Sequence, residues 1–189
     1  MLEKLVLQNR SYRAFDEAHP ITEQDMRVLV DLARRTASAM NKQPLRYRIV
    51  SAKEELERMY ANTRYAAALS VKLPPQGQQP TGFIAIFRDS EAGSPESAAL
   101  KDVGIAAQTI LLAATEKGFG GCMIGSFHPE RLNADLGVDT RYIPALVIAL
   151  GKPAEICVLT EAKDGQTTYY RDAANIHYVP KLSLEDVLL

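Results

Sequence analysis

Two arginines and a serine lie within four residues near the start of the 189-residue chain, at Arg10, Ser11 and Arg13. A guanidinium group offers paired planar N–H donors and a hydroxyl offers a short third donor, a combination that suits a phosphate group. Exposed arginines are also common on protein surfaces, so a simple surface pair is the alternative. The cluster is therefore a candidate anion site that needs a second indication.

Four of the chain's 11 glycines fall within eight residues, at positions 118, 120, 121 and 125. Glycine permits close backbone approach, either to a flat ligand or to a neighbouring strand, and the sequence leaves both roles open. The dinucleotide motif G-x-G-x-x-G is not matched, because position 123 is Met. A Rossmann-type nucleotide site is therefore disfavoured.

The remaining polar candidates are weaker. Ser38, Asn41 and Gln43 form a polar set after a predicted helix, which on its own is typical of a turn. Cys122 and Cys157 are expected in apolar surroundings without further ligands, so neither a disulfide framework nor a metal site is predicted. A nucleophilic pair of Cys122 with His128 is conceivable but lacks a local signature.

Hydrophobic spacing predicts helices and strands in mixed order along one domain that spans residues 1–189. An apolar run predicts a central strand at 82–87, and the longest helix is predicted to start at Pro95 behind a Ser94 cap and to end at Lys117-Gly118. The three prolines in 73–80 indicate a loop. The other predicted helices are a short one that contains residues 2–6, then 23–36, 54–63 and 129–136, with one turn at 183–187. The other predicted strands are 46–51 and 143–150, and 119–127 is a short apolar segment rich in glycine.

The charge balance excludes some partners. Lys and Arg number 22 and Asp and Glu 23, a formal charge of −1, so nucleic acid and anionic membranes have little electrostatic attraction to the chain. No stretch is expected to reach the ~20 apolar residues of a membrane span. With few cysteines, a cytoplasmic location is expected.

Four blocks, taken in order, resemble the FMN-dependent nitroreductase family across almost the whole chain. They are Arg10-Ser11-x-Arg13-x-Phe15, Ala37-Ser38-Ala39-x-Asn41-x-Gln43-Pro44, Asp102-Val103-Gly104-Ile105-Ala106-Ala107-Gln108 with Gly118-Phe119-Gly120-Gly121, and Leu150-Gly151-Lys152-Pro153.

The resemblance implies an α+β fold in which helices flank a mixed central sheet, and a homodimer with FMN at its interface. The tail from about residue 156 is expected to pack on the partner chain. The FMN-binding residues that the resemblance implies are Arg10, Ser11, Arg13 and Lys181 at the phosphate and neighbouring groups, Ser38, Ala39 and Asn41 from the partner chain at the isoalloxazine ring, and Gly120 and Gly121 at the ring's other face or edge.

The implied activity is hydride transfer from NADH or NADPH to a nitroaromatic, a quinone or a similar small acceptor by a ping-pong mechanism. Because FMN carries the chemistry, neither a catalytic side chain nor a metal is expected. Three alternatives remain: an FMN carrier or sensor without nicotinamide turnover, a dehalogenating or flavin-degrading relative, and a flavin-free interaction domain.

The chain departs from the family pattern at several positions. Asn9 and Leu182 stand where the family often has basic residues, Ala37 where it often has proline, and Leu45 where it often has tryptophan. The first two departures leave more of the expected phosphate charge to Arg10, Arg13 and Lys181.

Overall fold

The computed structural model describes residues 1–65 and 73–189 of the chain. The helices are α1 (Leu2–Gln8), α2 (Glu23–Ala33), α3 (Lys53–Asn62), α4 (Glu96–Glu116), α5 (Pro129–Leu136) and α6 (Leu184–Val187), and the strands are β1 (Phe15–Asp16), β2 (Leu45–Val50), β3 (Gly82–Asp89), β4 (Gly120–Ile124), β5 (Tyr142–Pro153), β6 (Cys157–Glu161), β7 (Tyr170–Arg171) and β8 (His177–Lys181). The elements expected between residues 2 and 150 are confirmed to within a few residues. The three tail strands were not expected.

The α+β class is confirmed, with one correction to the expected strand directions. The central sheet has the order β1-β5-β3-β2 with β4 also paired to β5, and the pairs between these strands are all antiparallel. An isolated parallel bridge joins Ser11 to Gly121 of β4. Helices α3 and α5 each return the chain to the end of the sheet where the preceding strand stopped, which makes the next strand antiparallel. The mixed pairing lies instead in the tail sheet, where β8 is parallel to β6 and antiparallel to β7.

Helices cover both faces of the central sheet. Alternate residues of β3 explain how: Ile84 and Ile86 pack with α2 and α4, whereas Phe83 and Phe87 pack with α3 and α5. Successive strand side chains point to opposite faces. A strand buried on both faces must be apolar at every position, which accounts for the uninterrupted apolar run in the sequence.

Helix α4 is the longest element and forms much of the core. It begins at Glu96 without a side-chain cap, one residue later than predicted, and Gly118 follows its end with the expected left-handed φ of 80°. By length and composition it could cross a membrane, so the sequence expectation on that point was wrong. Of its most apolar window, 44% is buried inside the fold, and its buried side chains belong to the core that it shares with α2 and the central sheet.

The carboxylate of Asp89 holds together three segments at the end of β3. It accepts hydrogen bonds from Arg141 at 2.8 and 2.9 Å, from Arg46 at 3.1 Å and from the backbone N–H of Glu91 at 3.0 Å. These contacts, with those from Arg141 the largest, lower the pKa of Asp89 to about 2.

This lowered pKa predicts an acid-sensitive contribution to stability. The ionised carboxylate stabilises the fold above the unfolded pKa of about 4, and the contribution is lost as pH falls from about 4 towards 2. We expect Asp89→Asn to lower the free energy of unfolding at pH 7 and to flatten its pH dependence in that window, as measured by urea unfolding. Asp31→Asn is the matched control, because the exposed Asp31 also pairs with two arginines. Parallel pH profiles for wild type and Asp89→Asn would contradict the assignment.

Candidate functional site

A cavity of about 370 Å³ opens between the N-terminal segment, α4, β4 and the tail. All four residues predicted at the phosphate line it, although Lys181 is far from the others in sequence. Three of these four are cationic, and none of the described lining residues is acidic, so the cavity favours an anion. Its lining consists of Arg10, Ser11, Arg13 and Lys181 with Asn9, Gln108, Leu111, Met123, Tyr169, His177 and Val179.

Two buried donors in this cavity have no partner among the described residues, namely Nε of Arg10 and Nε of Arg13. The outer nitrogens of both side chains donate to carbonyl groups, Arg10 Nη2 to Val6 at 2.5 Å and Arg13 Nη1 to Ser11 at 3.2 Å. The Arg13 guanidinium also lies over the Tyr169 ring, 5.4 Å from its centroid. Since a buried donor without a partner is costly, these nitrogens fit a bound anion such as a phosphate.

The segment that carries these arginines is fixed by the central sheet. Phe15 is fully buried and pairs with Pro153 of β5, and the N–H of Tyr12 donates to the carbonyl of Gly121 at 3.0 Å. An extended segment held at both points cannot move its side chains far from the cavity. The buried Phe15 is therefore part of what places Arg13.

The tail supplies the opposite wall, and sequence reasoning identified only Lys181 of it. His177, Val179 and Lys181 alternate along β8 and all line the cavity. Residues two positions apart on a strand point to the same face, and this spacing would have indicated that the three side chains share one face of β8. Tyr169 was missed because it precedes a strand of only two residues, and Gln108 was quoted in a motif without a role.

The Ser38 loop does not line this cavity in its own chain. Ser38 and Asp102 border a separate cavity of about 280 Å³. The Ser38 hydroxyl donates to the buried Asp102 carboxylate at 2.6 Å and accepts from the N–H of Gln43 at 3.0 Å, and the N–H of Ala39 donates to Asp102 at 3.2 Å. The hydroxyl proton of Ser38 and the N–H of Ala39, expected at a ring, are thus engaged within the chain.

The same loop has an unusual backbone. Met40, Asn41 and Gln43 have φ values of 51°, 52° and 47°, a region that non-glycine residues seldom occupy. Met40 is 71% exposed. Such backbone strain persists only where surrounding contacts hold it and concentrates at functional sites; here the contacts to Asp102 hold it.

Gly120 and Gly121 lie in tight packing rather than beside open space. A Cβ at Gly120 would lie 2.5 Å from the Tyr12 ring, and one at Gly121 would lie 2.3 Å from the backbone oxygen of Ala149. The open approach expected above these glycines is therefore filled by the chain's own atoms. Contact of their backbone with a ligand stays a prediction.

Cys157 is not isolated, contrary to the sequence expectation. Its sulfur lies 3.9 Å from Nδ1 of His177, and one ligand atom each from Glu155, Cys157 and His177 lie within 4.8 Å of one another. Burial raises the pKa of the Cys157 thiol to about 12 and lowers the pKa of His177. A neutral thiol is a poor nucleophile and a poor metal ligand.

Both carboxylate oxygens in that cluster are already occupied. Glu155 accepts from the backbone N–H of Arg13 and from the guanidinium of Arg171. A cation would have to displace these donors next to two arginines. The cluster therefore supports the wall of the anion cavity.

Comparison with known proteins gives a consistent result. A sequence model described as the Nitroreductase family matches residues 6–152. The Bacillus subtilis (strain 168) protein YodC, provisionally named an NAD(P)H nitroreductase, is 26% identical over an alignment of 171 residues that covers 75% of this chain and 84% of that protein.

Solved structures share the fold. A Staphylococcus epidermidis protein provisionally titled an NAD(P)H:FMN oxidoreductase has a TM-score of 0.75 at 19% identity and covers 100% of this chain and 95% of its own. A provisionally titled nitroreductase from Exiguobacterium sibiricum, solved in complex with FMN, has a TM-score of 0.70 at 19% identity and covers 82% of this chain and 89% of its own.

Proposed function

The chain belongs to the nitroreductase family, and on that premise we propose that it is an FMN-dependent oxidoreductase that takes hydride from NADH or NADPH. The observation that carries the proposal is the cavity that Arg10, Arg13 and Lys181 line together, with a buried, unpartnered Nε on each of the two arginines among the described residues. The names of the Bacillus subtilis relative and the FMN-bound Exiguobacterium structure support the same cofactor and donor.

The residues that line the cavity have different proposed roles, which follow from their chemistry. Arg10 and Arg13 would hold the FMN phosphate through charge-assisted hydrogen bonds, with Ser11 and Lys181 beside it. When bound, FMN supplies the hydride-accepting group. Leu111, Met123 and Val179, which also line the cavity, form its apolar part.

We further propose a homodimer in which each Ser38 loop serves the cavity of the other chain. The loop has a strained backbone, is absent from the lining of its own chain's cavity and exposes Met40 and Asn41, so it can present Asn41 and the remaining atoms of Ser38 and Ala39 to a second copy. Large apolar side chains are exposed on α4 and at the C-terminal end, including Leu100, Ile105, Leu184, Val187 and Leu188. A molar mass in solution of one chain, 20.8 kDa, would contradict the dimer.

The tail has two proposed roles, one in the cavity of its own chain and one at the partner chain. Residues 157–181 form a sheet whose β8 lines the cavity of the same chain. The exposed apolar residues of α6 and beyond are the part that we propose packs on the partner.

The acceptor is proposed as a nitroaromatic, a quinone or a similar small planar molecule that takes the place vacated by the nicotinamide, a ping-pong order. A cytoplasmic location is proposed with it. Both cysteines of the chain are free, as this location predicts.

One experiment tests the function. We expect the purified protein to be yellow, to bleach anaerobically on adding NADH or NADPH without an acceptor, and to regain its colour when a quinone is added after the nicotinamide has been removed. A yellow protein that bleaches with neither nucleotide would favour a flavin carrier or sensor. A colourless protein that FMN cannot reconstitute would overturn the proposal.

A further inference from the structure

Glu155 lies where the pairing between β1 and β5 ends. Phe15 pairs with Pro153, and beyond it the N–H of Ala154 donates to the carbonyl of Ala14 at 2.9 Å. The next donor along the segment, the N–H of Arg13, meets no backbone acceptor there and donates to the Glu155 carboxylate. The side chain of Glu155 thus extends the pairing by one residue, up to the arginine that enters the cavity.

The second oxygen of Glu155 accepts from the tail. It binds the guanidinium of Arg171, and the side chains of Glu155 and Arg171 are only 2% and 8% exposed. Arg171 in turn donates to the side chain of Asn175 at 3.0 Å. One buried carboxylate therefore joins the N-terminal segment to the tail sheet.

Both joined segments line the anion cavity. Arg13 enters from one side, and Tyr169, two residues before Arg171, enters from the other and lies under the Arg13 guanidinium. Glu155 itself is not among the cavity's lining residues. Its hydrogen bonds therefore act on a bound anion through the groups that they fix.

We propose that Glu155 is a positioning residue for the phosphate-binding half of the cavity, which it builds by holding the main chain of Arg13 against the Arg171 side of the tail. The inference rests on the proposed FMN function. It concerns the phosphate end alone, so its effect must depend on the ligand carrying a phosphate.

The test compares two ligands that differ in this group, FMN and riboflavin. In Glu155→Gln the amide keeps the shape but places an NH₂ group against one of two donors, which loosens Arg13 or Arg171. We expect the Kd of the apoprotein for FMN to rise about tenfold or more, since charge-assisted contacts are at stake. The Kd for riboflavin should change little, so the preference for FMN over riboflavin shrinks.

A second variant covers the case in which Glu155→Gln does not fold. Glu155→Asp keeps the buried charge, but its shorter side chain cannot reach both partners, so the same loss of phosphate preference is expected. Glu54→Gln, at an exposed position of α3 away from the cavity lining, is the matched control and should leave both Kd values unchanged.

The outcomes separate the two proposals. If the wild type prefers FMN and both Glu155 variants keep that preference, or lose affinity for both flavins equally, the positioning role is overturned and the proposed function stands. If the folded wild type binds neither flavin, the proposed function is overturned and this inference with it.

Discussion

Replacing Arg10 and Arg13 together with alanine raises the Kd for FMN by about a hundredfold or more and yields a protein that is colourless when purified. A hydrogen bond to a charged group contributes about 1.5–3 kcal/mol, and two such contacts sum to at least ~3 kcal/mol, about two powers of ten in affinity. The buried Nε atoms of both arginines have no partner among the described residues. We therefore attribute the expected loss of affinity to their contacts with a bound phosphate. Titration of the apoprotein by quenching of flavin fluorescence measures the change.

The control for this variant is a change of equal size on the surface. Arg27 and Arg131 are exposed, and among the described residues each pairs only with an acid one turn away on its own helix, Glu23 and Asp135. We expect Arg27→Ala with Arg131→Ala to keep its FMN. Circular dichroism should show both double variants folded. A folded Arg10→Ala, Arg13→Ala protein with wild-type FMN affinity would remove the phosphate assignment.

Adding one methyl group at Gly121 is expected to lower the melting temperature by about 6 °C or more. The new Cβ would lie 2.3 Å from the backbone oxygen of Ala149 in the paired strand β5, and a backbone atom in the middle of a sheet cannot move aside as a flexible side chain can. Overpacking commonly costs about 1–3 kcal/mol. A chain of this size loses roughly 2–4 °C of melting temperature for each kcal/mol. The upper end of the overpacking range therefore corresponds to the expected change.

Gly125→Ala is the comparison for this second variant, because nothing lies within 4 Å of a Cβ built there. We expect it to melt close to the wild type, as measured by calorimetry of the apoprotein. The pair of variants also separates the two roles that the sequence left open for the glycines. If Gly121→Ala melts like the wild type and binds FMN poorly, the glycine serves the ligand and packing is not its reason.

The elements that the sequence predicts well are those whose pattern has one physical cause. Strand β3 is buried on both faces and is apolar from Gly82 to Phe87, and α5 begins at Pro129 and ends before a left-handed Gly137. Such signals are local. Strands β6 to β8 lack them because their residues are mostly half-exposed, so the pairing that forms them depends on residues far apart in sequence.

The residues of the site also differ in whether the sequence indicates them. The arginines are not distinctive by their spacing alone and become FMN-binding candidates only through the family resemblance that joins them to Lys181. The structure brings Arg10 and Arg13 to one cavity with Lys181. Nothing local marks Glu155, whose role comes from accepting a backbone N–H 142 residues away. The engagement of Ser38 with Asp102 spans 64 residues and was equally invisible.

The two walls of the cavity are far apart in the sequence, and this separation has a consequence for folding during synthesis. Arg13 is synthesised well before Glu155, Tyr169 and Lys181, which follow it by 142 to 168 residues in the sequence. Contacts between such distant segments form late, because a long loop must close first. During synthesis the arginine segment therefore lacks its partners until β8 has emerged, and the anion cavity is complete only after that point.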